Sequence, residues 1–310
     1  MKIIVTGSTG LIGSAVSAAL EARGDQIVRL VRDRNRVSAE GRRFWDPQMD
    51  FIEPEAFRGS AAVIHLAGEN IAGGRWSAKK KEKILTSRVR STSLIAKTLR
   101  EMADPPRTFL CASAVGFYGD RGPDVLDEPS GRGTGFLAEV CRQWEEAASQ
   151  AREAGVRVVS LRFGMVLAAE GGALAAMLPV FRLGLGAKLG SGCQYQSWIS
   201  LEDAVRAILF CLDQHSLSGP VNLVSPNPVT NSEFTISLAK ALYRPAIFRV
   251  PAFVLKTALG QMAEELLLAS CRAVPGKLRE NGFAFSQATL KEALEAVGRG
   301  TSQAAPPGIQ

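Results

Sequence analysis

Histidine is scarce in this chain: His65 and His215 are the only two among 310 residues. A histidine-based metal site or a Ser-His-Asp triad therefore has little material, and no metal site is expected. The Gly-x-Ser-x-Gly elbow of α/β-hydrolases is missing too. Five cysteines (Cys111, Cys141, Cys193, Cys211 and Cys271) are scattered without a Cys-x-x-Cys pair, which reads as reduced thiols. No run of about 18 apolar residues occurs, so neither a membrane span nor a membrane partner is expected. The chain opens on a strand-like run rather than a charged-then-apolar leader, so the expectation is no secretory signal and a cytoplasmic location. Lysine and arginine outnumber aspartate and glutamate by 37 to 30, a net charge of +7. The basic residues are spread out without interleaved aromatics, which argues against nucleic acid. An anionic small-molecule ligand accounts for the charge as well.

What is present is most informative between Lys2 and Gly13. A β-branched run leads into glycines at 7, 10 and 13, and an apolar helical pattern follows through Leu11, Ile12, Ala15, Val16, Ala19 and Leu20. That order is strand, tight turn, helix. Glycines let the backbone turn and approach a pyrophosphate, while the helix's open N–H groups and positive dipole end hold the charge. The context strengthens a motif that is weak alone. The competing reading is a tight β–α turn without a ligand.

Strand-like runs at 2–6, 26–31, 61–66, 107–112, 156–161 and 220–224 alternate with helical patterns at 11–23, 78–102, 135–154, 173–183 and 201–214. Such alternation predicts an α/β fold, a Rossmann-type doubly wound parallel sheet with helices on both faces. Gly24, Gly155 and Gly219 sit where helices hand over to strands. From about Asn231 the pattern turns mostly helical (231–243, 251–269 and 287–296). The expected division is a nucleotide-binding domain over 1–230, with substrate-side insertions near 165–200. A smaller helical C-terminal part over 231–297 and a disordered tail over 298–310 follow.

The end of the second strand tests which dinucleotide binds. An acidic residue there suits the ribose 2′-hydroxyl of NAD, and an arginine suits the 2′-phosphate of NADP. The sequence Val31-Arg32-Asp33-Arg34 puts Arg32 first after the strand, which favours NADP, since a guanidinium pairs two phosphate oxygens at once. Asp33 keeps NAD open. At the third expected strand, Leu66, Ala67 and Gly68 are small enough at the strand end to leave room for an adenosine or ribose. His65 reads as a packed strand residue, and Lys79–Lys83 as a solvated helix face.

Together these strings resemble the extended short-chain dehydrogenase/reductase superfamily: Thr6-Gly7-x-x-Gly10-x-x-Gly13, Leu66-Ala67-Gly68, and Ser113 to Gly119 after the fourth strand. More narrowly they resemble its epimerase-like branch, the "epimerase family protein" or NAD-dependent epimerase/dehydratase type. The narrower match rests on Leu66–Ile71, Ser87-Arg88, Trp144-Glu145, Leu161–Gly164, Gly190–Gly192, Gln196–Ile199, Asn222–Phe234 and Pro275–Phe285. The resemblance implies that Gly7, Thr9, Gly10, Leu11, Ile12 and Gly13 cradle the pyrophosphate and that Arg32 meets the 2′-phosphate of NADP. Leu66, Ala67 and Gly68 would line the ribose and adenine region. Arg88, where many relatives carry asparagine, would reach the cofactor, and Val166 would lie near the nicotinamide. Relatives often pair through helices like 78–102 and 135–154, so the resemblance also implies a homodimer.

The resemblance falters at the superfamily's Tyr-x-x-x-Lys pair. Aligning the helix through Glu145 places Leu137 and Cys141 there, and a one-residue shift places Phe136 and Val140; neither register supplies a phenol or an amine. A positioned acid/base is worth roughly 10²–10⁴-fold in rate. Ser113 and Tyr118 remain as candidate catalytic residues, one to orient a substrate oxygen and one to donate a proton; the alternatives are a turn cap and a packed ring. Cys141 reads either as a reactive thiol or as core. Gln194, Tyr195, Gln196 and Trp198 suit a flat polar ligand, with packing as the other reading of Trp198. The leading expectation is an NADP-binding oxidoreductase or epimerase-like enzyme acting on a small, polar substrate. The alternative is a non-catalytic NADP(H)-sensing protein linked to cell division.

Overall fold

Near-continuous apolar runs such as Ile3-Ile4-Val5 and Val158-Val159 build strands buried on both faces, the condition of a parallel sheet. A computed structural model describes residues 1–37 and 41–302. Its main sheet contains β1 (Lys2–Thr6), β2 (Gln26–Val31), β3 (Arg42–Asp46), β4 (Phe51–Ile52), β5 (Ala62–His65), β6 (Thr108–Ala114), β7 (Arg157–Phe163) and β8 (Gly219–Leu223). The order across the sheet is β8-β7-β6-β5-β1-β2-β3-β4. All neighbours are parallel except β3 and β4. Strand order reverses between β1 and β5, and a doubly wound sheet opens its ligand crevice at that point. The expected α/β Rossmann-type architecture is the one observed.

Four helices cover the sheet: α1 (Leu11–Ala22) packs with α5 (Leu201–Asp213), and α2 (Ala78–Glu101) with α3 (Phe136–Ser149). A second apolar cluster joins α4 (Gly172–Arg182), α6 (Asn231–Ala241) and α9 (Leu290–Ser302) around Leu178, Trp198, Phe234 and Leu294. A capping box opens α6, with Thr230 and Glu233 bonding each other's backbone N–H groups. The remaining helices are α7 (Ala252–Leu259) and α8 (Gly276–Glu280).

The sequence pattern does not announce β3 and β4. Arg-Arg-Phe-Trp-Asp offers only two apolar residues, and it becomes a strand because the open edge of β2 supplies hydrogen-bond partners. The expected helix at 251–269 is two elements, Ala252–Leu259 and a π-helical turn at Ala263–Leu268, divided at Gly260 with φ +60°. The final helix, Leu290–Ser302, runs past the expected tail boundary at 298; Leu290, Ala293 and Leu294 seat its first turns on the second cluster. Residues 303–310 of that expected tail lie outside the described residues.

His65 is a packed strand residue, as expected. Its Nδ1 lies 2.6 Å from Thr6 Oγ1 and its Nε2 3.1 Å from Ser91 Oγ. Ser91 donates to the Ser87 carbonyl at 2.7 Å, so Nε2 carries the proton and Nδ1 accepts. Burial, then Arg88, pushes the imidazole pKa from 6.5 down to about 3. The unfolded chain therefore takes up this proton near pH 6.5 and the folded chain does not, so stability falls as pH drops from 6.5 toward 3. The expected loss at pH 5 from this residue is about 2 kcal/mol. Denaturant titrations of wild type and His65→Gln at pH 7 and pH 5 check it; equal losses in both would refute the assignment.

Candidate cofactor and substrate site

The glycine turn joins β1 to α1 at the switch point. Gly7 has φ +68°, and a Cβ there would sit 2.7 Å from the Leu66 carbonyl carbon. At Gly13 a Cβ would lie 2.1 Å from the Gly7 carbonyl oxygen. Gly10 donates to the Gly7 carbonyl at 2.9 Å, and Ser14 N to Gly10 O, also 2.9 Å, opens the helical ladder. The amides of Leu11, Ile12 and Gly13 precede that bond and face the open helix end. Gly10 brings no side chain to cap them, which leaves the helix start to an anion. Leu11 packs within 3.3 Å of the Cβ positions of Gly171 and Gly172, so that loop lies against the turn.

Beside the turn is a pocket of about 160 Å³ lined by Ser8, Thr9, Arg29, Val31 and Arg42. Arg29 and Arg42 are register partners on β2 and β3, and Arg29 also pairs with Glu21. Arg32 is exposed at the end of β2 and makes no ion pair with any described residue. Sequence reasoning named Arg32 and missed the other two arginines. Arg29 does interrupt an otherwise apolar strand, which was the available signal; nothing marked Arg42 as its neighbour. A glycine cradle that any Cβ would fill, next to a cationic pocket, fits a phosphorylated dinucleotide.

Leu66, Ala67 and Gly68 leave β5 and form the next wall. Arg88 of α2 supports that wall from behind. Its guanidinium donates to the Glu69 carbonyl at 3.0 Å and the Ile84 carbonyl at 3.1 Å, and stacks 5.0 Å from the Trp144 ring centre. It also lies 3.3 Å from the Cβ position of Gly68. Burial holds its pKa below the usual value. The lysine run in α2 is not wholly solvated, since Lys80 binds Glu69 at 2.8 Å and Lys81 binds Gln261 at 3.0 Å.

A buried polar chain lies at the carboxyl end of β6. Ser113 Oγ donates to Glu145 Oε1 at 2.7 Å. Glu145 is held by Arg162 through two hydrogen bonds of 2.8 Å each. Arg162 continues to the Tyr118 hydroxyl at 2.9 Å, which lies 2.8 Å from Asn222 Oδ1. The Asn222 backbone N–H donates to Glu128 Oε1 at 2.9 Å. The structure therefore corrects the expectation for Tyr118. Its side chain has no exposure, and burial raises its pKa to about 12, so the phenol faces inward and not the crevice. Ser113, also buried, is fixed by Glu145. Glu145 and Arg162 were quoted in the sequence but given no role; an arginine inside the apolar strand Leu-Arg-Phe was the sign of a buried partner.

Cys141, opposite Gly116 on α3, is core: burial pushes its thiol up to about 11. The start of α3 is capped from the C-terminal part, where Glu265 accepts from Phe136 N at 2.9 Å and Leu137 N at 2.7 Å. Val166 sits in a short strand paired with Ile199, and Trp198 beside it is buried, donating to the Asn227 carbonyl at 2.9 Å. Gln194 donates to the Leu189 and Leu267 carbonyls. Trp198 and Gln194 thus hold the loop together. Gln196 Oε1 is buried without a partner among the described residues.

Residues 3–223 match the NAD dependent epimerase/dehydratase family and residues 250–297 a domain of unknown function, DUF1731. The chain belongs to the epimerase/dehydratase family. An epimerase family protein of Mycobacterium leprae is 44% identical over 292 residues, covering 94% of both chains. The crystal structure of human epimerase family protein SDR39U1 (isoform 2) with NADPH superposes with a TM-score of 0.86 at 31% identity, covering 96% of this chain and 99% of that one. A nucleoside-diphosphate sugar epimerase from Corynebacterium glutamicum gives 0.80 at 35%, covering 96% of this chain and 58% of that one. This epimerase-family chain contains no helix among the described residues that is long and apolar enough to cross a membrane.

Proposed function

We propose that this family member is an NADP(H)-dependent oxidoreductase or epimerase-like enzyme for a small polar substrate, and that it works without a Tyr-x-x-x-Lys pair. The observation that carries the reading is the arginine-lined pocket abutting the glycine turn. The human relative crystallised with NADPH supports the same choice of dinucleotide. The Leu11, Ile12 and Gly13 amides hold the pyrophosphate. Arg29, Arg32 and Arg42, with Ser8 and Thr9, meet the 2′-phosphate, and Leu66 to Gly68 line the ribose. When bound, the dinucleotide supplies hydride chemistry. Ser113, its hydrogen directed to Glu145, presents a fixed oxygen that orients the substrate. A homodimer through α2 and α3 belongs to the same reading.

Each charge-assisted hydrogen bond to a phosphate contributes about 1.5–3 kcal/mol. Arg42→Ala is therefore expected to weaken NADPH binding by about 10–100-fold and to leave NADH within about threefold. Calorimetry with both coenzymes checks this; equal losses would sink the 2′-phosphate assignment.

A second reading is favoured by one specific fact: Tyr118 is sealed inside, while neither register through Glu145 (Leu137 and Cys141, or Phe136 and Val140) supplies a phenol or an amine. On it the chain binds NADP(H) as a non-catalytic sensor linked to cell division. NADPH consumption over a panel of carbonyl compounds and nucleotide sugars separates the two. No turnover with tight binding would favour the sensor.

A further inference from the structure

The C-terminal part carries a surface that neither the nucleotide site nor the core explains. Leu183, Tyr243, Ile247 and Phe253 are 74, 90, 79 and 70% exposed. They come from segments far apart in sequence, and three contacts bring those segments together. Residues Ala187–Leu189 pair with Phe248–Val250 in parallel, Arg244 Nε donates to the Arg182 carbonyl at 2.8 Å, and Arg249 Nε donates to the Gly190 carbonyl at 2.7 Å. Helix α7 follows directly and buries none of its residues. Monomeric surfaces carry single exposed apolar side chains routinely, but clustered protruding ones mark a binding face.

The two stretches that build this face carry cations and no acid, and the half-exposed Glu264 meets it only through Lys256 of α7. No acidic residue occurs between 171 and 201 or between 234 and 263. Of the cations in those stretches, Lys256 pairs with Glu264 at 3.1 Å. Arg182, Lys188, Lys240, Arg244 and Arg249 make no ion pair with any described residue.

We propose that this face docks on an anionic phospholipid bilayer, with Leu183, Tyr243, Ile247 and Phe253 entering the headgroup region and the unpaired cations meeting lipid phosphates. Interfacial binding of this kind combines buried apolar area with attraction to anionic lipid, and needs no spanning helix. The absence of long apolar runs therefore does not bear on it. A second copy of the chain is a poor occupant, because a two-fold contact would set like charges against each other. Single-stranded nucleic acid is a poorer one: Tyr243 and Phe253 offer stacking faces, but the exposed Leu183, Leu185, Ile247 and Val254 beside them are aliphatic and set no base in place.

The test is flotation of the full-length protein with vesicles of phosphatidylcholine alone and of phosphatidylcholine mixed with phosphatidylglycerol. The expected bound fraction is at least about tenfold higher on the anionic vesicles and falls as salt is raised. Two variants, Leu183→Ser/Ile247→Ser/Phe253→Ser and Arg182→Gln/Lys188→Gln, are each expected to reduce binding by about tenfold, with unchanged circular dichroism and NADPH affinity. If a variant fails to fold, the lipid comparison and salt titration on the wild type still decide. The proposal is overturned by protein remaining unbound on anionic vesicles at low salt, by equal binding to both compositions, or by variants that bind as well as the wild type. It is also overturned if the face captures an oligonucleotide or an acidic protein in place of the vesicles, or forms a dimer that the serine variant dissociates.

Discussion

Gly13→Ala is expected to weaken NADPH binding by at least about 100-fold, close to 3 kcal/mol. The added methyl would stand 2.1 Å from the Gly7 carbonyl oxygen. That neighbour is backbone and cannot rotate away, so the turn must open and the Leu11, Ile12 and Gly13 amides lose their common aim. Overpacking of this kind also costs about 1–3 kcal/mol of stability. Gly24→Ala separates the two effects. Gly24 has φ +82° and open space around its Cβ position, so alanine there strains the backbone by about 1–2 kcal/mol and leaves binding alone. Calorimetry and thermal melts on both variants supply the comparison. NADPH affinity within threefold of wild type in Gly13→Ala would end the claim that this turn holds the pyrophosphate.

Glu145→Ala is expected to destabilise the protein by about 3–5 kcal/mol, or about 6–20 °C in Tm. The Arg162 side chain is 4% exposed and that of Glu145 15%, so removing the carboxylate strands a guanidinium among Phe117, Tyr118 and the strand backbone. Ser113 loses its acceptor in the same step. Replacing both partners with apolar side chains, Glu145→Leu/Arg162→Met, is expected to recover most of the loss, because no charge is then left alone in the interior. A double-mutant cycle measures the coupling. A single-variant loss under 1 kcal/mol, or a double variant worse than either single, would show that solvent reaches the pair.

Much of the scaffold was readable from residues alone because buried parallel strands need continuous β-branched runs. The expected strands at 2–6 and 26–31 match their observed bounds. β3 lies next to the sheet's edge, with only the two-residue β4 outside it, and carries no such run, so it escaped notice, and Arg42 with it. The catalytic side was the least legible. Ser113 and Tyr118 sit five residues apart and looked alike as candidates, yet the 3₁₀ turn at Val115–Tyr118 carries the tyrosine into the interior while Ser113 stays at the end of β6. Sequence distance gives no hint that Glu145, Arg162 and Asn222, from one helix and two strands, close one chain of hydrogen bonds around them.

The sequence by itself determined the parallel sheet, the glycine turn at its switch point and the lack of a Tyr-x-x-x-Lys pair, since each depends on local pattern or residue identity. Only the tertiary structure decided which arginines share a pocket, which way Tyr118 faces and that residues near 185 and 248 form one cationic, apolar face. Those outcomes depend on which strands become neighbours and in what register, and backbone hydrogen bonds between distant segments set that.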